Sequence, residues 1–443
     1  MAYLIKNAKI INEGEIFSAN VFVKDDKIAC IDRSLSKEFS DCKIIDIEDK
    51  YLIPGVIDDQ VHFREPGLTH KGDIYEGAKA AIAGGTTSFM DMPNVIPQTT
   101  TIDLLEEKFN IASNNSLANY SFYLGATNSN IEEIKKIDPK TVCGLKVFMG
   151  SSTGNMLVDD DDKLREIFTE CPTLIATHCE DTPTIEKNVE KYREIYQDNI
   201  PFELHPVIRS AEACYKSSSK AVKLAKECGT RLHILHLSTE IETSLFSNED
   251  RKTKKITGEV CVHHLWFNEE AYKTKGNFVR WNPAIKSEND RIALIKALKE
   301  GFLDVVATDH APHTAEEKKG SYLKAPGGGP LVQHSLVTML ELTEKNEISL
   351  CEVVDKMCHA PADIFHIEKR GYIKEGFYAD LCVVDKKEWK VEKDNILYKC
   401  GWSPFEDQVF NYKVDKTFVN GNLIFDNGLF NEEIKGKRLS FLR

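Results

Sequence analysis

Three histidines and an aspartate fall at, or just beyond, the ends of apolar runs that read as strands. They are His62 after "GVIDDQV", His178 in "LIATHCE", His236 in "LHILHLS" and Asp309 in "DVVATDHAPH". Singly, each such residue is more often a hydrogen-bonded part of a core or rim. Together they are the imidazole and carboxylate donors that suit zinc and related divalent ions. Lys146 in "CGLKVFMG" is the odd member, because an ammonium aimed at dications is repelled. Burial lowers a lysine pKa. The neutral amine can then add carbon dioxide to give a carbamate, a two-oxygen anion able to bridge two metals. Gln60 occupies the place, two residues before His62, from which a second imidazole would complete a pair. Its amide oxygen is a neutral and weaker ligand for zinc. The expectation is a retained but looser metal, with Gln60 as a weak ligand or a hydrogen-bonding neighbour of the ligands.

The elements that position these residues repeat a unit of short β-rich run followed by helical stretch. Candidate strands end at Asp58, Met92, Gly125, Met149, His178, His236, His263 and Asp309. Between them lie helical patterns such as "DIYEGAKAAIAG", "SAEACYKSSSKAVKLAKECG" and "ENDRIALIKALKEG", the last two closing on glycine. Eight such units predict a closed parallel (β/α)8 barrel, whose active site sits where the strand C-termini converge. The two ends of the chain differ from this middle. "YLIKNAKIIN" and "NVFVKDDKIACI" alternate with period two, and "KTFVNGNLIF" carries Asn-Gly at a tight hairpin. Residues 1–53 and 370–443 are therefore predicted to form one small β-sandwich beside a barrel of residues 54–369.

Composition narrows the function classes. A hydrophobic content of 42% with 29% charged residues is that of a soluble globular chain, and no apolar run approaches a membrane span. The net charge of −13 argues against a nucleic-acid surface. Twelve cysteines without a C-x-x-C pair suit free thiols in a reducing cytoplasm. "MAYLIKNAKI" lacks a signal-peptide pattern.

The motifs "PGVIDDQVHFREPG", "MPNVIP", "GLKVFMGSSTGNM", "THCE", "HILHLST", "WNPAIKS" and "ATDHAPH" occur in the order seen in dihydroorotases of the amidohydrolase superfamily, which the chain resembles over nearly its whole length. The resemblance implies two zinc ions per subunit and reversible cyclisation of N-carbamoyl-L-aspartate to (S)-dihydroorotate in pyrimidine biosynthesis. His62 and Asp309 would belong to one metal, His178 and His236 to the other, with carbamylated Lys146 bridging them. A metal-activated water would attack the ring amide, with Asp309 as general acid and base. Arg64, Asn94, Asn282 and His313 would grip the substrate carboxylate. A small-molecule substrate, a cytoplasmic location and a homodimer are the corresponding expectations, with no nucleic acid or membrane partner.

Three departures from the family pattern stand out. Gln60 replaces a histidine, "NPAIK" follows where two prolines and an arginine are usual, and Gln333 stands where relatives often carry glutamate. The last two are expected to retune the substrate edge alone, whereas Gln60 touches the metal site. His233, His263 and His264 read as structural. The alternatives are a hydantoinase or allantoinase, which shares barrel and metals, and a non-catalytic dihydroorotase-like partner of aspartate transcarbamoylase. Arg64 with "EPG" and "MPN" favours a ring bearing a carboxylate. A non-catalytic partner should have lost several ligands, whereas Lys146, His178, His236 and Asp309 are all present.

Overall fold

The structure is a computed structural model that describes residues 2–33, 42–48, 50–150 and 156–443. Residues 151–155 of the "GLKVFMGSSTGNM" motif lie outside the described residues. Eight parallel strands follow one another around a barrel: β1 (Val56–Val61), β2 (Thr86–Asp91), β3 (Asn119–Gly125), β4 (Gly144–Phe148), β5 (Ile175–His178), β6 (Leu232–Ile234), β7 (Ile256–Cys261) and β8 (Val305–Ala307). Nearly every residue in them is buried, which is why they read as apolar runs and not as alternating patterns. The ring closes between β1 and β8. Val61 bridges His310, and the His62 amide donates to the His310 carbonyl at 2.7 Å. Buried Asp58 reinforces the seam, accepting from the Thr308 hydroxyl at 2.6 Å and from the Thr308 amide at 3.3 Å.

The helices start and stop where their caps dictate. Asp73 caps Ile74–Ala83, and Ser210 caps Ala211–Cys228, which ends on Gly229 at φ 72°. Ser287 and Asp290 form a reciprocal capping box on Glu288–Lys299. Each cap contributes about 1 kcal/mol to the helix it opens.

Both ends of the chain meet in a nine-stranded sheet. Ala2–Asn12 pairs with Glu15–Lys24, and Tyr51–Pro54 pairs antiparallel with Leu381–Asp385, which joins the N-terminal strands to the C-terminal ones. The Asn-Gly hairpin has both central residues left-handed, Asn420 at φ 48° and Gly421 at φ 75°, as a two-residue turn matched to strand twist requires. Ile5, Ile10, Val21, Leu52, Leu381 and Phe418 form this sheet's own core. The molecule is thus a (β/α)8 barrel beside a small β-sandwich. Among the described residues the eleven cysteines other than Cys42 are free thiols, and no described helix is long and apolar enough to cross a membrane.

Four strand ends differ from the expectation by two residues or more: β1 runs to Val61, three residues past Asp58, and β7 stops at Cys261, two before His263. β6 stops at Ile234 and β8 at Ala307, so His236 and Asp309 lie two residues beyond them. Both have left-handed backbones, at φ 41° and 48°. A non-glycine residue held there ends a strand and turns its side chain out of the pleat, at a cost on the order of 1–3 kcal/mol.

Candidate active site

A cavity of about 440 Å3 opens at the C-terminal end of the barrel, lined among others by Gln60, His62, Lys146, His178, His236 and Asp309. Two donor pairs face it. His178 Nδ1 lies 3.0 Å from His236 Nε2, and His62 Nε2 lies 3.2 Å from Asp309 Oδ1. Adjacent ligands on one ion with bonds of about 2.0–2.1 Å have this spacing. Lys146 stands with them, fully buried. Among the described residues its ammonium has no hydrogen-bond acceptor, only the Phe148 ring at 4.6 Å. Burial pulls its pKa down to about 8, with Asp309 and Glu259 acting the other way. An unpartnered buried amine between two donor pairs fits a pair of dications bridged through a carbamate. Its burial also leaves the amine able to lose its proton as pH rises through about 8.

Backing interactions orient the donors. Asn94 Oδ1 lies 2.7 Å from His62 Nδ1, so that nitrogen carries the proton and Nε2 turns a lone pair toward the cavity. Buried Asp91 holds the same loop. It accepts from the Phe63 and Met92 amides at 3.0 Å each and pairs with Lys108 at 2.8 Å. On the other side, His178 Nε2 lies 3.1 Å from Glu180, which also pairs with Arg209. Burial opposes the Glu180 charge, but Arg209 and His178 outweigh it and hold the carboxyl down to about 2. Burial keeps both His178 and His236 below the usual imidazole range, so both rings stay neutral. Gln60 donates from Nε2 to Asp309 Oδ1 at 3.3 Å, and its Oε1 turns to Cys261 Sγ at 3.9 Å.

The cavity's other wall is cationic. Arg64, left-handed at φ 71°, donates from Nε to the Pro312 carbonyl at 3.1 Å, and its Nη2 lies 3.1 Å from His313 Nε2. Its Nη1 has no protein partner among the described residues. Burial pulls this guanidinium down to about 10, against Asp309 and Asp91, which leaves it charged at neutral pH. His313 is kept neutral by burial and by Arg64. Its Nε2 faces the Arg64 guanidinium, while Nδ1 lies 3.2 Å from Lys71 Nζ and 3.5 Å from Glu317. Asn282 reaches the cavity with a buried Oδ1 that has no partner, beside Gly327, where a Cβ would come within 2.8 Å of its Nδ2.

Sequence reasoning missed Arg209, Arg280 and Lys318. The Arg280 guanidinium donates to the Tyr322 and Ala325 carbonyls at 2.7 Å each. Lys318 donates to Pro326 at 3.0 Å and Gly328 at 2.8 Å. Together they pin the loop that lines the cavity. Nothing in their spacing announces this, because these partners of Arg280 and Lys318 are backbone carbonyls and that of Arg209 is the Glu180 carboxylate. Gln333, expected at the substrate edge, is not there. Its side chain latches the Asn395 carbonyl at 2.7 Å and the Leu397 amide at 2.9 Å. Lys286 likewise turns to the Ala284 carbonyl at 3.0 Å.

The model of the Amidohydrolase family matches residues 51–424. The chain belongs to the amidohydrolase family. This amidohydrolase is 34% identical to a dihydroorotase of Carboxydothermus hydrogenoformans, over 91% of this chain and 94% of that one. It is 29% identical to an allantoinase of Bacillus velezensis, over 97% and 95%. In structure it resembles the L-hydantoinase (dihydropyrimidinase) of Arthrobacter aurescens, with a TM-score of 0.92, 26% identity and 97% of each chain covered.

Among the described residues, two compact groups of three His, Cys, Asp or Glu donors lie outside this ring: Cys261 with His263 and His264, and Asp59 with His233 and Glu259.

Proposed function

We propose that this amidohydrolase is a dihydroorotase, interconverting N-carbamoyl-L-aspartate and (S)-dihydroorotate as a step of pyrimidine biosynthesis. The observation that carries it is the Arg64–His313 wall opening on the same cavity as the His62, Lys146, His178, His236 and Asp309 ring. A ring amide bearing a carboxylate fits both walls at once. Two zinc ions, when bound by that ring with Lys146 carbamylated, would polarise the amide carbonyl and acidify an attacking water.

The chain's own residues do the rest. Asp309 takes the proton of the attacking water and returns it to the leaving ring nitrogen, and the reverse order serves cyclisation. Arg64 Nη1 and the neighbouring Asn282 amide meet the substrate carboxylate. Asn94 spends its oxygen on His62 and keeps its Nδ2 for substrate. Gln60 acts through Asp309, whose carboxylate it orients. The reading includes a working division into a sandwich of residues 1–53 plus 370–443 and a hydrolase barrel of residues 54–369. It also includes a cytoplasmic, homodimeric enzyme.

The second reading is a hydantoinase or allantoinase, favoured by the likeness to the Arthrobacter aurescens protein and the Bacillus velezensis relative. Comparing kcat/KM for dihydroorotate, hydantoin and allantoin separates the readings. The expected result is turnover of dihydroorotate with little on the two others. A better rate on either sinks the dihydroorotase assignment.

A further inference from the structure

Beneath the ring, in the closed interior of the barrel, β1, β6 and β7 bring Asp59, His233 and Glu259 together. All three are fully buried. His233 Nε2 lies 3.1 Å from Asp59 Oδ2 and 3.6 Å from Glu259 Oε2. Yet His233 Nε2, both Asp59 carboxylate oxygens and Glu259 Oε2 make no aligned hydrogen bond. Four unsatisfied polar atoms converging in one enclosed place are costly, since each buried orphan forfeits its hydration.

The ring's tautomer sharpens the problem. His233 Nδ1 lies 2.7 Å from the Thr257 hydroxyl, and that hydroxyl donates its only proton to the Leu232 carbonyl, 3.3 Å away. With that donation made, the hydroxyl accepts from Nδ1–H. In the neutral ring this leaves the Nε2 lone pair pointing at two carboxylates. Burial opposes a charge on this ring, but Asp59 and Glu259 outweigh it and raise His233 to about 9, so without a metal the ring is an imidazolium facing both carboxylates. One proton on Nε2 serves a single carboxylate oxygen, whereas a metal cation that displaces it engages the imidazole and both carboxylates at once. Ligands on a tetrahedral ion with bonds of about 2.1 Å stand about 3.4 Å apart. The observed 3.1 and 3.6 Å bracket that edge.

We propose that Asp59, His233 and Glu259 form a further metal site, separate from the cavity ring, for a divalent first-row cation such as Zn2+. One imidazole and two carboxylates match that chemistry and neutralise its charge. The hydroxyl behind His233 is the outer partner that such a ligand needs. Glu259 ties the site to the ring above. Its other oxygen accepts from the His236 amide at 2.9 Å and from Cys261 Sγ at 3.4 Å. The ion would thereby brace the left-handed turn that presents His236. Because the three ligands are enclosed, the ion enters as the chain folds and resists chelators afterwards.

Protein expressed and crystallised in Zn2+ tests this through anomalous difference maps on both sides of the zinc edge. The expected map has a peak within about 2.2 Å of all three side chains. That peak should persist in crystals of Lys146→Ala, where the cavity zinc is reduced. Elemental analysis of chelator-treated wild type should retain one zinc equivalent, which Asp59→Asn loses along with a drop in Tm. A zinc-replete wild-type map with no peak at these residues, or chelated protein free of zinc, overturns the proposal. The wild-type map is sufficient if Asp59→Asn does not fold. The outcome is independent of which cyclic amide the enzyme turns over, because neither readout uses substrate.

Discussion

The two donor pairs at the mouth of the barrel are built on different principles. His178 and His236 are both imidazoles, both kept neutral by burial, and each is backed by a carboxylate: Glu180 behind one ring and Glu259 behind the other's amide. His62 and Asp309 mix an imidazole with a carboxylate, and an amide stands where a second ring would complete the set. The first pair is rich in nitrogen donors but brings no charge of its own. The second brings charge but has one nitrogen donor fewer. An anion placed between them serves both, and the buried, unpartnered amine of Lys146 is the group positioned to become one. What differs between the halves is thus which currency of binding each lacks.

Removing that shared anion should have the largest effect. Lys146→Ala is expected to lose the cavity zinc and turnover together, by on the order of 10³-fold in kcat, as loss of several kcal/mol of Lewis-acid assistance implies. Elemental analysis beside the rate assay checks it. Full zinc with full activity would show that the two halves need no bridge. Arg64→Ala should act on the other wall alone. It is expected to lower kcat/KM for dihydroorotate by roughly 10–100-fold, the worth of a charge-assisted hydrogen bond, while zinc content stays unchanged. Loss of zinc in that variant would merge the two walls into one unit.

A third test uses the acidity of Lys146 in metal-free protein. Its ammonium cannot add carbon dioxide; its neutral amine can. With the pKa pulled down to about 8 by burial, the reactive fraction grows as pH rises through that value and falls away below it. With dissolved carbon dioxide held at one concentration, reactivation of apo-protein by zinc should therefore be about tenfold faster at pH 9 than at pH 7. A flat profile would remove the amine from the reaction.

How much of this was legible depended on whether a residue acts through local pattern or through the closed fold. The barrel strands could be read because burial on both faces writes continuous apolar runs, and the caps at Ser210 and Ser287 lie beside the helices they open. His62, His178, His236 and Asp309 stood out because strand ends are where a barrel gathers its chemistry. The exact ends of β6 and β8 were not legible, since nothing in "HILHLS" or "VATDHA" marks a left-handed histidine or aspartate. Nor were Arg209, Arg280 and Lys318, whose partners are brought into reach by the fold and by no recurring spacing. His233 read as a structural histidine for the same reason: Asp59 and Glu259, which give it meaning, lie on other strands.

The smallest expected effect, and the one that bears most directly on the comparison, concerns Gln60. Its amide nitrogen donates to Asp309 at 3.3 Å, so in this geometry it orients a ligand and is not one. The His62–Asp309 half then holds its ion through one imidazole, one carboxylate and whatever Lys146 supplies. Its partner half has two imidazoles and the same share of Lys146. A zinc titration of protein stripped of its cavity ions should accordingly resolve two classes of cavity site, and a chelator should empty those two in stages, with activity falling mainly in the first. Gln60→His restores a nitrogen donor and should tighten the weaker class by about tenfold, the lower end of what metal-site neighbours contribute. Gln60→Ala removes only the donor behind Asp309 and should cost less than His62→Ala, which removes a ligand. Two sites of equal affinity in the wild type, with Gln60→His changing neither, would mean that Gln60 is a bystander. The two halves would then differ in chemistry without differing in strength.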